Sequence, residues 1–460
     1  MSALAGCSTL DGVTPESEPE LASPRSPPSE PADTTARLRA TAGTVQPSED
    51  AAIETWLYND EFPGPELRLT EGEVVEVELT NDLRDETTIH WHGVPLSNGM
   101  DGVPNVTQDP IESGGSFAYK FRAEPAGTFF YHSHVGLQLD RGLLGPLVIE
   151  EAEPHIEYDR EYTVVLDDYL DGEPQPLSDT DSNGGMGGGM GGGPGGMGGM
   201  MDDRRPDYAG LLVNGRLPEN PPSFAVQEGE RVRFRFVNAS SATAFEVRVA
   251  GHPLTVTHAD GRPVEPVTAD SFVFGSGERY DAIVDAENPG TWELRAAALD
   301  GNEPPAIAVL AYEGETEQSP TAPSSPGQQL SYSDLRALSP LEGIDGEPDR
   351  TFDLTLSASR ESTEWLIDGQ AYPNADPFTI REGDHVRIRL ENHSPVLHPM
   401  HLHGHFFQAG DAVKDTVLVP GHMGEVTFDF VADNPGSWLF HCHNLYHLEA
   451  GMARVMEYVE

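Results

Sequence analysis

At 460 residues the chain is longer than one ordinary β domain and suits two or three. It carries 77 acidic against 27 basic residues, a formal charge of −50, and its only lysines are Lys120 and Lys414; such a surface repels polyanions, which excludes nucleic acid and anionic lipid headgroups as partners. With 37% hydrophobic residues in strand-like runs it is no disordered acidic polymer, and the excess charge reads as adaptation to high salt, where screening relieves self-repulsion.

The chain opens with Leu4-Ala5-Gly6-Cys7, which resembles the lipobox of prokaryotic lipoproteins, whose cysteine is lipidated and becomes the mature N-terminus. Only Met1-Ser2-Ala3 precede it, too few for a charged region and an apolar region, so either the reading frame starts too late or the match is accidental. Residues 11–50 are rich in Pro, Ser, Glu and Thr, and a disordered tether is expected over 1–44. No stretch is long and apolar enough to span a membrane. These features predict an extracellular or cell-surface protein, with Cys7 as the candidate lipid anchor. The second cysteine, Cys442, is wanted elsewhere, and no disulfide is expected.

The folded body is written three times. Glu71-Gly72-Glu73 leads to Val75, Val77 and Leu79 and closes at Asn81; Glu228-Gly229-Glu230 leads to Val232, Phe234, Phe236 and Asn238; Glu382-Gly383-Asp384 leads to Val386, Ile388, Leu390 and Asn392. Each copy reads as a turn feeding a strand with one buried face. A second phrase recurs near each unit's end: Gly127-Thr128-Phe129, Gly290-Thr291-Trp292 and Gly436-Ser437-Trp438. Three homologous domains are predicted, at 45–155, 156–315 and 345–460, with 316–344 as the linker into the third. Little helical periodicity and many Gly, Pro and Asn breaks predict an all-β fold of Greek-key sandwiches or barrels. Residues 183–201, almost entirely Gly and Met, read as a mobile loop of the second domain.

Histidines follow the same register. Nineteen and twenty-one residues after each copy's first Glu stand His90 and His92, then Val247 and Val249, then His401 and His403. Five and seven residues after the second phrase's Gly stand His132 and His134, then Arg295 and Ala297, then His441 and His443. Four His-x-His pairs therefore come from domains one and three, and none from domain two. Residues i and i+2 of a strand project from one face, so each pair aims two imidazoles at one place. Eight imidazoles meeting across a domain interface suffice for about three first-row metal ions. The third domain adds Cys442, His447, Met452 and His398 where the first has Ser133, Gln138, Leu143 and Thr87. Two imidazoles, a thiolate and a thioether make a one-electron copper site, joined covalently to the cluster through the neighbours of Cys442.

His90-Trp91-His92-Gly93, His132-Ser133-His134, His398-Pro399-Met400-His401-Leu402-His403 and His441-Cys442-His443 through Met452 resemble the four copper motifs of the multicopper oxidases of laccase type. The resemblance implies three cupredoxin-like domains and four copper ions. By it, His398, Cys442, His447 and axial Met452 hold the type 1 copper, His90 and His401 the type 2 copper, and His92, His132, His134, His403, His441 and His443 the type 3 pair. A small reducing substrate gives single electrons to the type 1 site, and the cluster uses four to reduce dioxygen to two waters. Asp101, in Met100-Asp101-Gly102, matches a carboxylate that delivers protons. Where some relatives carry a second acid stand Leu445, Tyr446 and Leu448, and Glu449 is the nearest candidate.

The leading expectation is a monomeric laccase-like oxidase of phenolic and aromatic donors. The alternative is a cuprous oxidase whose Met186, Met190, Met197, Met200 and Met201 collect Cu(I), since thioethers are soft ligands. A copper-storage or electron-transfer protein without oxidase turnover is the third reading. Asn105, Asn238 and Asn392 lie in glycosylation sequons, which matter only in an exported chain. His155, His252, His258, His385, His393, His405 and His422 fit no repeat and are expected to be surface or structural.

Overall fold

The computed structural model describes residues 20–177, 205–314, 319–324 and 327–460. Three β-sandwiches follow one another along the chain. The first pairs two four-stranded sheets; the second and third each pair a six-stranded with a five-stranded sheet. The repeated phrases do what the sequence predicts. Gly72, Gly229 and Gly383 turn the chain at φ of +89°, +89° and +91°, a region open to glycine without strain. The strands Val74–Asn81, Arg231–Asn238 and His385–Asn392 follow. Each lies parallel to the opening strand of its own sandwich and antiparallel to a later one, which is the crossover of a Greek key repeated three times.

The closing asparagines are buried corner pins. Asn81 donates to the carbonyls of Asp85 and Ile111, Asn238 to those of Thr243 and Phe274, and Asn392 to those of Val396 and Pro420. Asn238 and Asn392 are fully buried, so the folded chain presents neither amide for glycosylation; Asn105 is exposed.

Two expectations change. The tether predicted over 1–44 ends earlier, because Thr34–Val45 is a strand that runs parallel to Val74–Asn81. Leu38 and Ala40 point inward between outward Arg37 and Arg39, an alternation hidden in a polar, Thr-rich stretch. The linker predicted over 316–344 is also anchored: Leu330 and Leu335 are buried in the core of the second sandwich.

The sandwiches are docked by buried charge as well as by apolar surface. Arg233 and Arg235, on the outer face of the strand Arg231–Asn238, converge on Asp281 at 2.6 Å and 3.2 Å, and Thr128 of the first sandwich donates to the same carboxylate at 3.0 Å. Glu151 adds a partner for Arg233 at 2.9 Å. Removing one member of such a set costs about 3–5 kcal/mol, because the others stay buried without counter-charge.

Candidate metal centres

The four His-x-His pairs sit on the strands His90–His92, Gly127–His132, His398–Leu402 and Ser437–Cys442, or just beyond their ends. Within the first sandwich His90 pairs with His132 across two antiparallel strands; within the third, His401 pairs with His441. Period-2 geometry puts the paired imidazoles on one face and the residue between them on the other. Trp91, Leu402 and Cys442 are accordingly buried in the cores of their own sandwiches.

All eight histidines come together between the first and third sandwiches. His90 and His403 have ring centroids 3.9 Å apart, His92 and His401 3.8 Å, His134 and His441 5.2 Å, and His132 and His443 5.3 Å. Seven are buried, and His134 keeps a partly open edge. Three sets, His90/His401/His403, His90/His92/His132 and His134/His403/His441, each have their donor atoms within 4.8 Å of one another.

Hydrogen bonding fixes which nitrogen faces the cavity. Nδ1 of His90, His132, His401 and His441 each lies 2.9 Å from a backbone carbonyl, of Asp101, Ser133, Asp415 and Cys442 respectively. A carbonyl only accepts, so Nδ1 carries the proton and Nε2 presents its lone pair. Among the described residues, Nε2 of His90, His132, His134 and His401 has no hydrogen-bond partner. His92 is reversed: Nε2 faces Asp415 Oδ1 at 3.3 Å and Thr416 Oγ1 at 3.2 Å, and Nδ1 is the atom without a partner among the described residues. His403 and His441 bring their Nε2 atoms to 2.9 Å of each other, two lone pairs that a cation would reconcile. Burial, reinforced by the charge each ring would impose on the next, holds His92, His132, His401, His403 and His443 well below the ordinary imidazole range. A cavity lined by neutral, unpartnered imidazoles fits metal ions and little else.

The second centre lies in the core of the third sandwich. His398 Nδ1 and His447 Nδ1 are 3.1 Å apart, and Cys442 Sγ is 3.6 Å from each. Ser394 Oγ, 2.8 Å from His398 Nε2, orients that ring so that Nδ1 meets the sulfur. Met452 is buried in the same core, its N–H bonded to the His447 carbonyl at 2.9 Å. Trp365 packs on the His447 ring at 4.1 Å. His447 is placed by helix α1 (Leu445–Glu449), whose first turn is capped by Asn444 Oδ1 accepting from the N–H groups of Tyr446 and His447. Burial pushes the Cys442 thiol far up and His398 down to about 3, a donor set that ionises only with a cation present. The first sandwich has no such centre: Thr87, Ser133 and Gln138, in the corresponding places, tie one another up by hydrogen bonds, with Thr87 and Ser133 each donating to Gln138 at 2.7 Å.

The expected acids fare differently. Asp101 is buried against the cluster, with Oδ2 2.9 Å from His403 Nδ1 and Oδ1 3.2 Å from His90 Nδ1. Glu449 does not reach it. Two residues along a helix lie about 200° apart around the axis, so with His447 turned inward Glu449 faces solvent. Sequence reasoning missed Asp415, whose carboxylate touches His92, and Asp140, which accepts from the Tyr446 and Tyr208 hydroxyls and is pushed up to about 8 by burial and by Asp168. Of the other histidines, His252 and His405 do follow a repeat. Each bonds a tyrosine hydroxyl near its sandwich's end, Tyr312 at 2.7 Å and Tyr458 at 2.6 Å, and each sets its ring against a tryptophan. The five loop methionines, Met186, Met190, Met197, Met200 and Met201, and Cys7 lie outside the described residues.

A surface crevice reaches His447. Val396, Leu397, Pro399 and Leu418 give it apolar lining; Asn444, Asp300 and Arg205 are polar members.

Three family profiles, all described as multicopper oxidase, match residues 39–154, 160–315 and 345–460. The multicopper oxidase MmcO of Mycobacterium tuberculosis is 36% identical over 428 residues, covering 88% of this chain and 84% of that protein. A copper resistance protein A homolog of Pseudomonas syringae pv. tomato is 28% identical, covering 86% of this chain and 87% of its own, and laccase-2 of Podospora anserina is 27% identical, covering 88% and 74%. The solved structure of Fet3p, a multicopper oxidase that functions in iron import, superposes with a TM-score of 0.80 at 22% identity, covering 93% of this chain and 90% of that one, a likeness of fold. With the motifs and the two donor clusters in the first and third sandwiches, and family matches over all three, the chain belongs to the multicopper oxidases, oxidoreductases that hold four copper ions.

Proposed function

We propose that the chain is a laccase-like oxidase that takes single electrons from phenolic or aromatic donors and reduces dioxygen to two waters. The observation that carries this reading is the crevice over His447, whose aliphatic wall suits a flat ring and whose polar members suit a hydroxyl. In this reading His398, Cys442, His447 and Met452 hold type 1 copper, His90 and His401 the type 2 ion, and His92, His132, His134, His403, His441 and His443 the type 3 pair. Bound copper supplies one-electron acceptance at the first site and four-electron oxygen reduction at the cluster.

The residues do the rest. His447 stands at the floor of the crevice, one side chain from the donor. Cys442, flanked in sequence by His441 and His443, gives a short covalent route between the centres. Neutral imidazoles in fixed tautomers keep the cavity free of protons that would compete for the metal. Asp101, paired with two of the rings, is the acid in place to hand on the protons that oxygen reduction consumes. The chain acts outside the cell or at its surface, as a monomer, with Cys7 as the lipid site if an anchor is used. Among the described residues no helix is long and apolar enough to cross a membrane.

One observation favours cuprous oxidase activity as well. The described residues that flank the Gly/Met segment in sequence are Leu177, which packs on the third sandwich's core, and Arg205, which lines the crevice at His447. Copper resistance protein A homologs among the relatives agree with a role in copper handling. Oxygen uptake by copper-loaded protein in high salt, offered a simple phenol or Cu(I), with and without residues 184–201, separates the readings. Good phenol turnover unaffected by the deletion supports the laccase. A Cu(I) preference that vanishes with the segment supports the cuprous oxidase. No uptake with either donor leaves storage or electron transfer.

A further inference from the structure

The second sandwich supplies no imidazole, yet it reaches the cluster. Arg279, fully buried at the start of the strand Arg279–Asp285, donates from Nη1 to Asp415 Oδ1 at 2.7 Å and from Nη2 to Oδ2 at 2.6 Å. Asp415 belongs to the third sandwich. Its Oδ1 also accepts from Thr416 Oγ1 at 2.8 Å and faces His92 Nε2, while its carbonyl accepts from His401 Nδ1. One guanidinium fork thus bears on histidines from both of the other sandwiches.

The second sandwich grips this segment from its other side too. Asp260 Oδ2 accepts from the backbone N–H groups of Asp415 and Thr416 at 3.2 Å each, and its Oδ1 accepts from the N–H of Arg279 at 2.9 Å. Lys414 Nζ lies 3.0 Å from both Asp260 and Glu278. The chain next to His92 is fitted to the same fork: a Cβ on Gly93, at φ +84°, would lie 2.3 Å from Arg279 Nη2 and 2.6 Å from Asp415 Oδ2.

These contacts explain why His92 is the reversed imidazole. A carboxylate held in this rotamer accepts from Nε2–H and leaves the Nδ1 lone pair for the cavity; a carboxylate free to turn away would fix neither. A lysine could neutralise Asp415 but would hold it at one point, where the guanidinium holds it at two.

We propose that Arg279 is a positioning residue for the copper cluster: by clamping Asp415 it selects the tautomer of His92 and seats His401, so that the sandwich without ligands governs how firmly the other two retain copper. The inference rests on His92 and His401 being copper ligands.

The test compares wild type, R279K and R279Q/D415N for copper per chain, blue type 1 absorbance and thermal unfolding, each against rising chelator. R279K keeps the buried charge. It is expected to fold and stay blue while losing cluster copper at about 10- to 100-fold lower chelator. In R279Q/D415N two amides can pair in place of the fork and hold the same rotamer without charge, and cluster copper is expected to be retained better than in R279K. Wild-type retention of cluster copper in R279K overturns the proposal. So does loss of blue and cluster copper in parallel, and so does failure of R279K to fold, since either makes Arg279 a packing residue. A wild-type chain that holds type 1 copper alone refutes the ligand assignment instead.

Discussion

Replacing Asp101 by Asn separates holding histidines from moving protons. The carboxylate is buried, with one oxygen 2.9 Å from His403 Nδ1 and the other 3.2 Å from His90 Nδ1. His90 has a second acceptor, the carbonyl of Asp101 itself at 2.9 Å; among the described residues the Asp101 side chain is the one acceptor for His403 Nδ1. Asn keeps one side-chain acceptor, enough for His403, while His90 falls back on the carbonyl. No imidazole N–H is orphaned, but the new amide NH2 stands donor to donor against the His90 N–H and is buried without an acceptor, at about 1–3 kcal/mol. Asp101→Ala, by contrast, leaves the His403 N–H buried and unpaired, at about 1–3 kcal/mol and about 10- to 100-fold in copper affinity. A group that transfers protons in the rate-limiting step contributes about 10²–10⁴-fold, or about 2.7–5.5 kcal/mol of barrier. Asn cannot carry that proton. The expected result is four copper ions per chain in Asp101→Asn, a stability loss no larger than about 1–3 kcal/mol, and oxygen uptake at saturating donor lower by that factor. Uptake close to wild type with four copper ions bound would show that Asp101 only orients its two rings.

Met452→Leu removes the thioether donor and should raise the type 1 potential, read by redox titration of the blue absorbance; an equal or lower potential would mean that Met452 is no ligand. Lys414→Met leaves Asp260 and Glu278 facing each other in the interface, at about 3–5 kcal/mol of stability in urea unfolding, and an unchanged midpoint would show the ion pairs to be dispensable. In the metal-free chain His398 and His441 are pushed down to about 3 by burial, against about 6.5 when unfolded. Between those values the unfolded chain binds protons that the folded chain refuses. Stability should therefore be full above about pH 6.5 and fall as pH drops through the window, and a flat pH profile of chemical unfolding would contradict it.

Much of this molecule is legible in its sequence because it is written in short-range phrases. Glu-Gly-Glu before an alternating run is a local instruction, and the three turns and strands follow it. A His-x-His pair on a strand needs only period 2 to aim both rings together. What was hidden is long-range or masked by polar residues. Nothing near Asp415 announces that Arg279, in another sandwich, will clamp it, and nothing near Tyr446 announces Asp140. One signal was available: Lys414 is one of two lysines in an intensely acidic chain and sits among strand-forming residues. The strand Thr34–Val45 escaped because two buried residues among Thr and Arg are too few to outweigh a tether-like composition. Glu449 misled because counting along the chain ignores the helical turn that carries it away from His447.

The strand Ser437–Cys442 and the cavity opposite it obey different conditions of assembly. The thiolate site is complete once the third sandwich has folded, since all its donors lie within residues 398–452. The oxygen-handling cavity exists only when the first sandwich has closed on the third, with the second braced against both. A half-assembled chain is therefore a carrier of single electrons with no complete cavity to deliver them to, because the eight cluster imidazoles stay divided four and four between two sandwiches until these dock. Domain docking works as an interlock: the molecule gains the power to break the oxygen bond at the same moment that it gains the means to finish the job.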